Sequence, residues 1–177
     1  MRRKCKICYR RRAVIDIDGC CINNGRRNPV AGFGVRWNGR RSVYNLSEAL
    51  GGTQTNNRAE VAAAIYALEQ CKAMNIGCVK LRTDSTYLYN TVNYWYYEWE
   101  EHDWTTASGS VPANLNLFHY LMELIDERHV EFQHVKAHSG DQGNEVADQL
   151  ARRGASWHGH HNNPGHCDCP FSYYNDI

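Results

Sequence analysis

Apolar and polar positions along this chain fall into blocks of two kinds, one alternating and one of helical period. From Ala13 the run AVIDIDGCC reads as a strand, and VAGFGVRW and RSVYNLSEA read as two more around the turn signal Asn38-Gly39. From about Asn56 to Asn75 the text becomes RAEVAAAIYALEQCKAMN, which is rich in Ala, free of Gly and Pro, and apolar at helical spacing. CVKLRT, residues 78–83, predicts a strand that ends on Asp84, and the aromatic residues 86–101 predict a helix in pieces. A Gly, Ser and Pro stretch, ASGSVPAN, predicts a loop before the helix LFHYLMELIDER. VEFQHV then predicts a last strand and NEVADQLARRGA a last helix. Three strands followed by alternating helix and strand predict one α/β domain with a mixed sheet. Beyond Ser156 the text has no period and reads as a tail. The expected division is therefore a basic extension at 1–12, a domain at 13–155 and a tail at 156–177.

A chain of 177 residues is long enough for one domain with a real core. Its 20 Lys and Arg nearly balance 19 Asp and Glu, so net charge does not decide for or against nucleic acid. The distribution is lopsided, because the first twelve residues, MRRKCKICYRRR, hold seven basic residues and no acid. No apolar run is long enough for a membrane span, and no secretory apolar region follows the basic start. With eight Cys in adjacent or close pairs, the expectation is a reduced intracellular protein whose cysteines are thiols. Nucleus, mitochondrion and cytoplasm are not distinguished.

Four acids stand at the end or start of these elements: Asp18, Glu60, Asp84 and Asp148. A carboxylate there gains nothing from packing, and four that converged would repel one another unless cations sat between them. Each has a blander reading. Glu60 complements a helix dipole, and Asp84 is an N-cap unless Ser85 takes that role. Asp148 sits beside the apolar residues Val146, Ala147, Leu150 and Ala151. Asp16 competes with Asp18, being two residues earlier and so on the same strand face. A carboxylate at that position needs a sheet end or a basic partner.

Taken together, DGCCINNGRRNPVAGFGV, TQTNNRAEVAAAIYALEQ, TDSTYL, the Trp95/Trp99/Trp104 segment and HVKAHSGDQGNEVADQLAR resemble type 1 ribonuclease H, especially its eukaryotic form. The resemblance runs from about Val14 to Ala155 and follows the family's order. It implies a ribonuclease H-like fold, with a mixed five-stranded sheet in the order 3-2-1-4-5 and helices on both faces. It also implies an endonuclease that cuts the RNA strand of an RNA–DNA hybrid with two Mg²⁺ ions, which Mn²⁺ can replace, leaving 5′-phosphate and 3′-hydroxyl ends. Carried over by position, Asp18, Glu60, Asp84 and Asp148 are metal ligands and His138 is a loop histidine that assists proton transfer. Asn24, Asn56 and Asn57 contact the hybrid in its minor groove, where short amides reach 2′-hydroxyls. Trp95 and Trp99 wall the DNA-strand channel, and Thr55 and Asn114 hold a DNA phosphate.

The chain departs from the family in three places. Lysines that many relatives carry after the second Trp are replaced by Glu100-Glu101-His102-Asp103, which should lower affinity for phosphates. Many eukaryotic relatives also carry a separate hybrid-binding domain upstream, and twelve residues are too few to form one. At the termini, Cys5 and Cys8 with Cys167, Cys169, His158, His160, His161 and His166 are zinc-compatible ligand types whose spacing matches no strong pattern. A disulfide between the termini is the other reading. An alternative function is a hybrid- or double-stranded-RNA-binding module of the same fold that cuts weakly or not at all.

Overall fold

The computed structural model of the chain describes residues 12–137 and 139–157. Its centre is a five-stranded sheet in the order β3-β2-β1-β4-β5, as the resemblance implies. The strands are β1 (Ala13–Ile22), β2 (Val30–Trp37), β3 (Leu46–Ala49), β4 (Cys78–Thr83) and β5 (His129–His134). The first three form an antiparallel meander, and β4 and β5 run parallel to β1.

Helix α1 (Asn56–Ala73) is apolar nearly all round because it is enclosed, lying between the sheet and α4 (Leu115–Asp126). Its Ala-rich sequence keeps that helix slim enough to pack on both sides. Helix α5 (Gln142–Trp157) covers the opposite face of the sheet, chiefly over β2 and β1. It comes very close there, since a Cβ on Gly34 would stand 2.4 Å from the Ala147 carbonyl oxygen. Ile15, Ile17, Phe33, Leu68, Leu81 and Leu117 fill the core between the sheet and α1 and α4. Residues 86–101 form the expected helix in pieces. They are α2 (Thr86–Asn90), a π-helical turn at Thr91–Trp95, and α3 (Tyr96–Glu101).

The structure corrects several expected boundaries. RSVYNLSEA is a strand only at Leu46–Ala49, while Gly39–Tyr44 is a 3₁₀ turn. No residue of that turn is buried, so packing does not favour an extended run, and the Asn45 amide oxygen instead accepts the Trp37 N–H at 2.7 Å. Helix α4 starts at Leu115 rather than Leu117, and α5 runs past Ser156 to Trp157. Cys78, half-buried at the start of β4, is disulfide-bonded rather than a thiol, whereas Cys20, Cys21 and Cys71 are free. Among the described residues no helix is long and apolar enough to cross a membrane.

Candidate metal centre

The ladder between β1 and β4 ends at the Asp16–Arg82 pair, while β1 continues along β2 to Ile22. The two strands therefore part beyond Asp16, beside the carboxyl end of β4. The sheet also changes there from antiparallel to parallel neighbours, the kind of place where α/β sheets bind ligands. Asp18 on β1 and Asp84 just past β4 flank the opening. Glu60 reaches it from α1, which can approach because residue 19 is glycine: a Cβ on Gly19 would lie 2.4 Å from the Glu60 backbone nitrogen.

One carboxylate oxygen from each of Asp18, Glu60 and Asp84 lies within 4.8 Å of the others. Asp18 and Glu60 are buried and Asp84 is half-buried. Burial pushes the Asp18 carboxyl up to about 7, with the charges of Asp84 and Asp148 adding to the rise. Glu60 is raised well above the usual carboxylate range, first by burial and then by Asp18 and Asp84. Its Oε2 is buried with no hydrogen-bond partner among the described residues. An all-oxygen donor set, close-set charges and an orphaned carboxylate oxygen together fit a hard divalent cation.

Asp148 stands apart from these three. It shares the walls of a cavity of about 490 Å³ with them, together with Cys21, Asn56 and Arg152. Both its oxygens, however, accept from Arg152 Nε, at 2.8 and 2.9 Å. The Arg152 side chain is 61% exposed, so water screens this pair and an incoming cation or phosphate can compete for it. Asp84 is not a helix cap, because Ser85 Oγ accepts the Leu88 N–H at 3.2 Å and caps α2 itself.

The other expected residues surround this centre. Thr55 caps α1, its hydroxyl accepting the Arg58 N–H at 3.3 Å. Asn24 Oδ1 accepts the Asn56 backbone N–H at 3.2 Å, and Asn56 Oδ1 accepts the Cys21 N–H at 3.2 Å. The two amides thus tie the loop after β1 to the start of α1, and Asn57 beside them is exposed. Trp95 and Trp99 line a second cavity, of about 360 Å³, with Tyr87 and Pro112. Asn114 adopts a left-handed conformation (φ 60°) before α4, and its amide reaches Tyr87 Oη at 3.4 Å. Trp104 packs instead, edge-on to Tyr96 and His119 with centroids 5.2 and 4.4 Å away. His138 and the Cys and His residues of the termini lie outside the described residues.

The sequence reading missed Asn144. Only 4% exposed, it donates its Nδ2–H to Asp84 Oδ2 at 2.7 Å. Its signal was its position four residues before Asp148, on one face of the last helix.

The family model described as RNase H matches residues 10–156. Ribonuclease H1 of Homo sapiens is 44% identical over 142 residues, covering 80% of this chain and 49% of that protein. Ribonuclease H of Schizosaccharomyces pombe is 40% identical over 82% of this chain and 53% of its own length. Ribonuclease H of Maricaulis maris is 39% identical, over 80% of this chain and 91% of that protein. The chain thus spans about half the length of the eukaryotic relatives. Among solved structures, LC9-RNase H1, a type 1 RNase H with the type 2 active-site motif, superposes with a TM-score of 0.66 at 23% identity, covering 94% of this chain and 81% of that one. The foamy viral protease-reverse transcriptase in complex with RNA/DNA hybrid gives 0.71 at 21% identity, over 88% of this chain and 21% of that one. At these identities the two structures speak for the fold.

Proposed function

The chain belongs to the RNase H family, and on that premise we propose that it is an endoribonuclease hydrolysing the RNA strand of RNA–DNA hybrids, with 5′-phosphate and 3′-hydroxyl products. The observation that carries this reading is the convergence of Asp18, Glu60 and Asp84, with the buried Glu60 Oε2 unpartnered among the described residues. Asp18, Glu60, Asp84 and Asp148 are the residues that would hold two Mg²⁺ ions, or Mn²⁺ in their place. Bound there, the cations would make water nucleophilic near neutral pH and offset charge on the phosphate and the leaving oxygen.

The protein's own groups supply placement. Asn24 and Asn56 fix the loop beside the opening, where exposed Asn57 is free to meet the minor groove, whose 2′-hydroxyls mark the RNA strand. Trp95 and Trp99 line an apolar trough suited to the sugars of the DNA strand. Thr55 and Asn114 are assigned to a DNA phosphate by the resemblance, Thr55 while also capping α1. His138, between Ala137 and Ser139 in the sequence, is assigned by the resemblance to assist proton transfer.

The experiment is incubation with duplexes in which the RNA strand is labelled, with Mg²⁺ and then with EDTA, beside the Asp84→Asn variant. Cleavage restricted to RNA within the hybrid, and lost in both controls, is expected. A second reading, a binding module of the same fold, draws on the exposed Glu100, Glu101 and Asp103, which would weaken the grip on phosphates. Intact RNA throughout, with hybrid still bound, would favour that module.

A further inference from the structure

Asp16 is fully buried in the sheet, and the proposed hydrolysis makes no use of it. In the strand register it stands between Arg36 of β2 and Arg82 of β4. Arg36 Nη1 donates to its Oδ2 at 2.8 Å, and Arg82 Nη1 donates to its Oδ1 at 2.7 Å. Arg82 also donates Nη2 to Asp141. The other Asp141 oxygen accepts the backbone N–H groups of Gly143 at 3.0 Å and Asn144 at 3.3 Å, capping α5. Gly143 closes the circuit, since a Cβ there would lie 2.6 and 2.7 Å from the two Asp16 oxygens. The first turn of α5 therefore rests on the Asp16 carboxylate, and its next residue is Asn144, which donates to Asp84.

A buried ion pair adds little net stability, because desolvation offsets most of the attraction. What this one supplies is direction: two arginines hold the carboxylate, and the carboxylate and Asp141 hold the turn. We propose that Asp16, Arg36, Arg82 and Asp141 are positioning residues that seat the start of α5 and, through Asn144, fix the Asp84 carboxylate for cation binding and hydrolysis. This rests on reading the acidic centre as hydrolytic. Partners around a ligating carboxylate matter because a small rotation of its oxygens changes both affinity and rate.

The test starts from half-buried Asp141 at the outer end of the network, because substitution at fully buried Asp16 risks the fold itself. Asp141→Ala, Asn144→Ala and the double variant are compared on a labelled hybrid with Mg²⁺, alongside melting temperatures and calorimetric Mn²⁺ titration. Asp141→Ala should lower kcat about tenfold and weaken Mn²⁺ binding about tenfold, with KM shifting less than about twofold. Asp141→Asn, which keeps the cap acceptor and loses the charge on Arg82, should fall in between. If Asp141 acts through Asn144, it should cost little further kcat in the Asn144→Ala background, while its effect on melting temperature stays the same in both backgrounds. Losses of kcat that multiply, or unchanged kcat and Mn²⁺ affinity in Asp141→Ala, would overturn the proposal. A wild-type protein that leaves the hybrid intact would sink the hydrolase reading instead, and the Mn²⁺ titration would still decide the positioning role.

Discussion

Glu60 keeps a carboxyl group at 3% exposure, with one oxygen lacking a hydrogen-bond partner among the described residues and two further carboxylates beside it. Such a residue costs stability and is tolerated where function needs it. Glu60→Gln should therefore raise the melting temperature in EDTA while cutting hybrid cleavage by about 10²-fold or more, roughly 3 kcal/mol of transition-state stabilisation. Stability should also depend on pH with a definite sign. The Asp18 carboxyl is raised from 3.8 to about 7 on folding, so the folded state keeps its proton where the unfolded state has lost it. In cation-free buffer, the contribution of Asp18 to stability is then greatest at acid pH and is lost as pH climbs from 3.8 through about 7. Melting curves across that range should show the decline, and added Mg²⁺ should reverse it near neutral pH. At this scale the acids were legible through the motifs that carry the family resemblance, since only Asp84 stands at an element boundary while Asp18 lies within β1 and Asp148 within α5. The partners of Asp16 were not, since Arg36 and Arg82 come beside it only through strand register. Asn144 escaped notice for a related reason: its bond to Asp84 joins residues 60 positions apart.

Elements were legible where packing and local pattern agree. The β1, β2 and β4 strands and the long Ala-rich helix carry their pattern over their whole length and bury it. RSVYN looks strand-like by composition, but its residues in the 3₁₀ turn lie outside the core, so the pattern had nothing to act on. Two substitutions test how elements place the site. Thr55→Ala removes the α1 cap and should cost about 1 kcal/mol of stability, measured by denaturant unfolding. Gly19→Ala should do more, because its Cβ would meet backbone at 2.4 and 2.6 Å and push α1 off β1. Cleavage should then fall by a larger factor than Thr55→Ala produces, since Glu60 moves away from Asp18. Equal losses for the two would mean that the close β1–α1 approach does not set the site.

Across the whole molecule the formal net charge is +1, yet charge is segregated. Acids gather at the site and on the exposed Glu100–Asp103 segment, while residues 2–12 hold seven basic side chains. Hybrid binding by this chain should depend on that arm, because each phosphate it neutralises releases counterions. Removing residues 2–12 should weaken hybrid binding and flatten its dependence on salt, and an unchanged slope would rule the arm out. The overall sheet order was legible through the family resemblance, whereas the disulfide at Cys78 was not, because composition alone pointed to thiols. The most direct measurement is calorimetric titration of Mn²⁺ into the wild-type protein and into Glu60→Gln. Binding in the wild type that is lost or sharply weakened in the variant is expected. Equal binding in both, or hybrid cleavage that persists in EDTA, would contradict a cation site built on Asp18, Glu60 and Asp84.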